Sequence, residues 1–176
     1  MTRIVAVSGS RSADSTTRAA LNVALDAAAD AGAETGMIDL GAVDLPLYHP
    51  DEDAQGDSEA LTRRVREADG VIAGTPVYRG SYSSTFKNFH DFCGSTEYEN
   101  TAVGLLATAG GGSYGGTLEH LRSTFRNVHA WTVPHEVGIR GASGVVDETG
   151  IRDDDVRRRT ERLGRVVTDH AVRLRR

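Results

Sequence analysis

Short apolar runs constrain the fold of this chain more than any other feature. Three of them read RIVAVS, GVIAGTP and TAVGLLATA, at residues 3–8, 70–76 and 101–109. None alternates between apolar and polar residues, which is typical of strands buried on both faces of a parallel sheet. Two shorter runs, at residues 36–40 and 129–133, predict two further strands.

Helical patterns separate the predicted strands. They are predicted at residues 15–31, 59–68, 83–92, 117–127 and 153–173. A strand followed by a helix, repeated five times, predicts an α/β fold with a parallel five-stranded sheet and helices on both faces. We expect a single domain over residues 1–176. On or near the buried side of the last helix we expect Val156, Leu163, Val166, Val167, Val172 and Leu174.

Composition and charge exclude several classes of function. The net charge of −5 argues against a nucleic-acid surface, which needs a basic patch. No stretch reaches the roughly 18 apolar residues of a membrane span, and no signal-peptide core is present, so we expect a cytoplasmic protein. Cys93 is the only cysteine, which excludes an intrachain disulfide and an all-cysteine cluster. The histidines are scattered, and we expect no metal site.

The first predicted strand leads directly into SGSRSADSTTR, residues 8–18. The N-terminus of a helix binds anions through its free N–H groups, and hydroxyl groups can add further donors. Ser15 alone would be enough to cap the helix. The larger number of hydroxyls favours a terminal phosphate. The candidate ligands are Ser10, Arg11, Ser12, Ser15, Thr16 and Thr17.

Two more unusual loops follow predicted strands. TPVYRGSYSSTFKNFHD, residues 75–91, could place backbone N–H groups and tyrosine rings against a planar ligand, or could be a plain strand-to-helix turn. TAGGGSYGG, residues 108–116, lets backbone lie close to a ligand, although a glycine-rich loop can also be a flexible connection. In a sheet of order 2-1-3-4-5 the three loops would share one crevice at the carboxyl ends of neighbouring strands.

Together, in this order and spacing, the three loops resemble the NADPH-dependent FMN reductase family. This flavodoxin-like family includes flavin, quinone, azo and chromate reductases, so the resemblance implies a flavodoxin-like three-layer sandwich with FMN bound. It implies that Ser10, Ser15 and Thr17 hold the phosphate and that residues 110–113 lie near the pyrimidine side. The full set implied for the second and third loops is Pro76, Val77, Tyr78, Arg79, Gly80, Ser81, Thr108, Gly110, Gly111, Gly112 and Ser113.

The chain departs from the family pattern at several positions. The family arginine stands two places after the serine of the first motif, where this chain has Ser12, and Arg11 stands one residue earlier. Either Arg11 reaches the phosphate, or the hydroxyls and Arg18 suffice. The acidic residue before the tyrosine is Val77 here, and the asparagine or histidine after it is Arg79.

The resemblance implies an FMN-dependent NAD(P)H oxidoreductase that passes a hydride to a flavin, quinone or similar small acceptor. Two alternatives are a flavodoxin-like electron carrier with a protein partner and a non-enzymatic phosphate-binding module. No catalytic residue is assigned, because the hydride chemistry belongs to the flavin. In this family a neighbouring subunit usually completes the flavin pocket, so we expect a homodimer or homotetramer. The helix carrying Phe86, Phe89 and Phe92 is either a dimer surface or part of the core.

Overall fold

The computed structural model describes residues 1–53 and 55–175. The strands are Arg3–Ser8 (β1), Glu34–Asp39 (β2), Gly70–Pro76 (β3), Ala102–Ala109 (β4), Trp131–Arg140 (β5), Val146–Asp147 (β6) and Gly150–Ile151 (β7). The helices are Thr16–Asp30 (α1), Ser58–Arg66 (α2), Ser84–Asp91 (α3), Ser95–Tyr98 (α4), Gly115–Asn127 (α5), Ala142–Val145 (α6) and Asp154–Leu174 (α7). No helix among these residues is both long and apolar enough to cross a bilayer.

A parallel five-stranded sheet in the order β2-β1-β3-β4-β5 forms the centre of the fold, as predicted. Helices α1 and α7 cover one face, and α2, α3 and α5 cover the other. Strands β1, β3 and β4 therefore have no solvent-facing side, which explains why their sequences are continuous apolar runs. The flavodoxin-like, three-layer prediction is confirmed.

Strand β5 differs from its prediction. It was expected at residues 129–133 but runs from Trp131 to Arg140, past Pro134 and the polar pair that follows it. It is an edge strand, where proline costs no ladder hydrogen bond on the open side. Its pairing with β4 also shifts register between Val103 and Leu105. An apolar pattern cannot follow a strand through such an interruption.

Helix α7 packs closely against α1. A Cβ atom at Gly164 would lie 2.0 Å from the carbonyl oxygen of Ala24, so the two helix backbones touch at this glycine. The buried face carries Thr160, Leu163, Gly164, Val167, Thr168 and Ala171. Val172, expected on the buried side, is 37% exposed, so that expectation is wrong. The threonines can replace apolar residues because the hydroxyls of Thr160 and Thr168 donate to carbonyls one turn earlier.

The aromatic residues of α3 belong mainly to the core. Phe86 and Phe89 are buried between the sheet and α5, which favours core packing over a dimer surface. His90 lies among them, with its ring centroid 4.8 Å from that of Phe125. Its Nδ1 is buried without a hydrogen-bond partner among the described residues. Burial lowers the pKa of His90 from its usual 6.5.

This histidine predicts acid sensitivity. The unfolded chain protonates His90 near its usual pKa, whereas the folded chain keeps it neutral to lower pH. The unfolded state then binds more protons, so stability falls as pH drops below about 6.5. We expect His90→Phe to reduce the loss of unfolding free energy between about pH 7.5 and about pH 5 in urea titrations. The exposed His49 provides the control, and His49→Phe should show the same change of unfolding free energy with pH as the parent. If His90→Phe also shows the parent's change, burial of His90 is not the cause of the acid sensitivity.

Candidate functional site

Three loops meet at the carboxyl edge of the sheet. Strands β1, β3 and β4 are neighbours, and their register pairs Ser8 with Gly74 and Pro76 with Thr108. The loops that follow them comprise residues 9–15, 77–83 and 110–114. This edge is where open α/β sheets bind ligands. The three loops therefore lie at one edge of the sheet, as expected.

The first two loops are fastened together by a small set of hydrogen bonds. The N–H of Gly9 donates to Gly74 O at 2.8 Å, and Ser83 Oγ donates to Gly9 O at 2.6 Å. The N–H of Ser83 donates to Thr75 Oγ1 at 2.9 Å. A Cβ at Gly9 would lie 2.8 Å from the Cβ of Phe86, so only glycine allows this approach. We call these four residues, Gly9, Gly74, Thr75 and Ser83, the clasp.

The start of α1 is suited to an anion. Ser15 caps the helix and accepts a hydrogen bond from the N–H of Arg18 at 3.1 Å. Ser10 is buried, and its Oγ accepts from the N–H of Ser12 at 3.2 Å. Arg11 and Ser12 are exposed, and Thr16 is half-buried. The first N–H groups of a helix have no carbonyl partner within it, so this end can donate to a phosphate.

Two other residues of the first motif form contacts with neighbouring strands. Thr17 is 1% exposed, and its Oγ1 lies 2.6 Å from Oγ1 of Thr108 at the end of β4. Arg18 forms an ion pair with Asp39 at 3.0 Å and donates to the carbonyl of Ala13. Within the described part of the chain, Arg11 has no acidic partner. Of the two arginines weighed from the sequence, Arg11 is the one left available.

The second loop contains a tight turn. The N–H of Tyr78 donates to Ser81 O at 2.9 Å, and the N–H of Ser81 donates back to Tyr78 O at 3.1 Å. Arg79 and Gly80 both have left-handed backbone, with φ of 52° and 79°, as a type I′ turn requires. The N–H of Val77 donates to Thr108 O at 2.8 Å, which joins the loop to β4. The turn holds Tyr78, which is 56% exposed, at the edge of the region where the three loops meet.

The third loop presents bare backbone. Cβ atoms added at Gly110, Gly111 or Gly112 would meet no atom within 4 Å, so the fold itself does not need these glycines. The neighbouring Ser113 is exposed, and its Oγ accepts from the N–H of Gly115 at 3.3 Å. A planar ligand could lie directly on this backbone.

Two residues that the sequence did not single out belong to this edge. Arg140, at the end of β5, donates from Nε to Gly111 O at 3.1 Å. His120 of α5 has its Nδ1 2.9 Å from Ser81 Oγ. Arg140 lay beyond the predicted end of its strand, so its place at the crevice was not foreseen. His120 lies on a helix predicted correctly, but its spacing from Ser81 gives no motif.

A separate cavity lies beside this edge. It has a volume of about 850 Å³ and is lined by residues of α1 and of the hairpin formed by β6 and β7. It borders Ser15 and Thr16 but is lined by no residue of the second or third loop. The cavity therefore touches the first loop but not the other two. We call the region where the three loops meet the cleft.

Comparison with known proteins identifies the family. The family model described as NADPH-dependent FMN reductase matches residues 2–144. An NADPH azoreductase of Bacillus sp. (strain OY1-2) is 37% identical over 112 residues, which cover 61% of this chain and 62% of the azoreductase. The NADH-dependent FMN reductase SfnE of Pseudomonas putida is 33% identical over 135 residues, 74% of this chain and 73% of SfnE. The match thus spans slightly less than two thirds of the azoreductase.

Solved structures agree on the fold. The apo form of the NADH:FMN oxidoreductase EMOB superposes with a TM-score of 0.78 at 26% identity, covering 96% of this chain and 89% of EMOB. FerB of Paracoccus denitrificans, a flavoenzyme NAD(P)H:acceptor oxidoreductase, gives a TM-score of 0.81 at 20% identity, covering 98% of each chain. The family predicted from the sequence is confirmed. The chain belongs to the NADPH-dependent FMN reductase family, whose members are oxidoreductases that use FMN as cofactor and NADPH or NADH as electron donor.

Proposed function

We propose that this chain transfers reducing equivalents from NAD(P)H to a small-molecule acceptor such as a flavin, a quinone or an azo compound, with FMN held by the three loops. One observation carries the proposal. An anion-binding helix start and an uncovered glycine backbone meet at a single edge of the sheet. This pairing suits a ligand with a phosphate at one end and a flat ring at the other.

The residues present fit FMN. We assign the phosphate to the N–H groups at the start of α1 and to Ser10, Arg11, Ser12, Ser15 and Thr16. Thr17 holds the start of α1 in place through its contact with Thr108. The ring edge is assigned to the second loop, from Pro76 to Ser81, where Arg79 contributes its backbone, and the pyrimidine side is assigned to Thr108 and residues 110–113. These ring assignments rest on the turn and the bare backbone described above.

When bound, FMN supplies the two-electron chemistry, accepting a hydride from NAD(P)H and passing it to the second substrate. The chain's contribution is binding and orientation. The N–H of Val77 donates to Thr108 O, and Nε of Arg140 donates to Gly111 O. These two hydrogen bonds fix the two loops that would face the ring. The electron-carrier alternative is not favoured, because the relatives are named for direct use of NADPH or NADH.

An absorption spectrum tests the proposal. We expect the purified protein, or the protein mixed with FMN, to be yellow and to show flavin bands. Anaerobic addition of NADPH or NADH should bleach those bands, and steady oxidation should follow when a quinone is supplied. A protein that takes up no FMN would overturn the proposal. If neither nucleotide bleaches the flavin bands, the electron-carrier alternative would be favoured instead.

The assembly and the cellular location stay predictions. We propose a homodimer or homotetramer, which the exposed Leu47 and Tyr48 beside α3 support. Light scattering of the purified protein measures this assembly directly. The single domain over residues 1–176 and the cytoplasmic location stay as the sequence predicted them.

A further inference from the structure

We propose that Arg79 binds an oxyanion carried by a substrate and so makes the enzyme selective for anionic substrates. The oxyanion is a phosphate of the nicotinamide nucleotide or an acidic group, such as a sulfonate, on the electron acceptor. This inference rests on the proposed function, since it concerns the substrates that reach the same cleft. It adds a specificity-determining residue to that function.

The turn does not explain why an arginine stands at this position. Arg79 has a φ of 52°, a left-handed conformation that is unfavourable for a residue with a Cβ. Type I′ turns favour asparagine, aspartate or glycine at such positions. Arginine gives the turn no compensating backbone contact. A residue that its own turn disfavours points to a role for its side chain.

The charge of Arg79 is also uncompensated. The chain has 25 acidic and 20 basic residues, and many of its arginines lie in ion pairs. Arg79 is exposed and forms no salt bridge within residues 1–53 and 55–175. The same holds for Arg11 on the first loop and Arg140 beside the third. Asp14 and Glu119 are acidic residues of the adjoining elements, and both are exposed to solvent.

The position of the turn is fixed, which makes a specific contact possible. Val77 is bonded to the end of β4, and Ser81 Oγ lies 2.9 Å from Nδ1 of His120. A Cβ at Gly116 would also lie 3.5 Å from Gly80 O, so the turn rests on the start of α5. A guanidinium held at such a turn can bind an oxyanion through two parallel N–H donors.

The anion is assigned to a substrate because the flavin phosphate already has its own site. The proposed phosphate site lies at the start of α1, after β1, whereas Arg79 follows β3, in a turn that lies next to the start of α5. The substrates are held transiently, so a weak, solvent-exposed charge contact is enough to change their KM. Such a contact acts equally on the bound and reacting substrate, and it therefore changes KM rather than kcat.

Steady-state kinetics with matched substrate pairs tests the inference. NADPH is compared with NADH, which lacks one phosphate, and 1,4-naphthoquinone-2-sulfonate with 1,4-naphthoquinone. The variants are Arg79→Asn, which suits the left-handed backbone, Arg79→Lys, which keeps the charge, and Arg63→Ala as control. Arg63 is an exposed arginine of α2 outside the cleft. FMN content and thermal stability are measured on every variant first.

We expect Arg79→Asn to be at least as stable as the parent and to raise KM about fivefold to tenfold for the substrate that carries the anion. A rise for NADPH alone assigns the phosphate absent from NADH. A rise for both nucleotides assigns their common phosphates, and a rise for the sulfonated quinone alone assigns the acceptor. The KM of Arg79→Lys should lie between those of the parent and Arg79→Asn, and the KM of Arg63→Ala should equal that of the parent.

Two results would overturn the inference: no KM change in Arg79→Asn, or the same change for the neutral quinone as for the charged substrates. Both require a parent enzyme that binds FMN and oxidises NAD(P)H. A parent protein that does neither contradicts the proposed function instead, so the two failures are distinguishable.

Discussion

The Gly111→Val variant should fold as stably as the parent protein and bind FMN about a hundredfold more weakly, a loss of about 2.7 kcal/mol. The first expectation follows from the space around the residue. A Cβ at Gly111 meets no atom within 4 Å, and its backbone is not in the left-handed region. The second follows from the proposed site, where the isopropyl group would occupy the surface on which the ring lies. Oxidation of NAD(P)H should fall with FMN occupancy.

Fluorescence titration of FMN and a thermal melt of the FMN-free protein measure the two effects separately. Gly144→Val is the matched control, because a Cβ at Gly144 also meets nothing within 4 Å and the residue lies in α6, outside the three loops. An FMN affinity equal to that of the control would mean that the glycine loop does not contact the ring. A large fall in melting temperature would mean that the loop needs glycine for its own folding.

The Gly164→Ala variant should lose about 3 kcal/mol of unfolding free energy. In an exposed helix, replacing glycine with alanine stabilises by up to about 1 kcal/mol. Here the new methyl group would lie 2.0 Å from the carbonyl oxygen of Ala24, an overlap with rigid backbone. Helices α1 and α7 must therefore move apart, and the side chains buried between them lose contacts. Overpacking of this kind typically costs about 1–3 kcal/mol, and backbone contact places it at the upper end.

Urea unfolding followed by circular dichroism measures this loss as a lower midpoint. Gly144→Ala provides the control for the substitution itself, and its stability should stay within about 0.5 kcal/mol of the parent. Gly164→Ala should keep its FMN affinity as long as it is folded. The contact with α1 is at Ala24, about two turns from the helix start that is assigned to the phosphate. A Gly164→Ala protein as stable as the parent would show that α1 and α7 are not in close contact at this glycine.

The order and type of the main elements could be predicted because burial leaves a direct trace in sequence. Strands β1 and β3 start and end where their apolar runs do. The pattern was less informative at the edge of the sheet, where β5 continues through the half-buried polar residues His135 and Glu136. It also misjudged Val172, since threonines and a glycine make part of the buried face of α7. The two-residue strands β6 and β7 are too short for any periodicity.

The site could be predicted in outline, because three unusual loops follow three neighbouring strands. What the sequence could not supply was the pairing between side chains from distant positions. Nothing in the motif indicates that Thr17 contacts Thr108 or that Arg18 pairs with Asp39. Arg140 was missed because its relevance depends on the register of an edge strand. The residues assigned to FMN stay predictions, for which the variants above are the test.

The clasp has a consequence for how the cofactor is taken up. Its bonds join Gly9, Gly74, Thr75 and Ser83 within the polypeptide alone, so two of the three loops are ordered before any ligand arrives. The conformational entropy of these loops is lost during folding, and association with the cofactor does not have to supply it. We therefore expect the cleft to be preorganised for its cofactor and cofactor exchange to proceed without local unfolding.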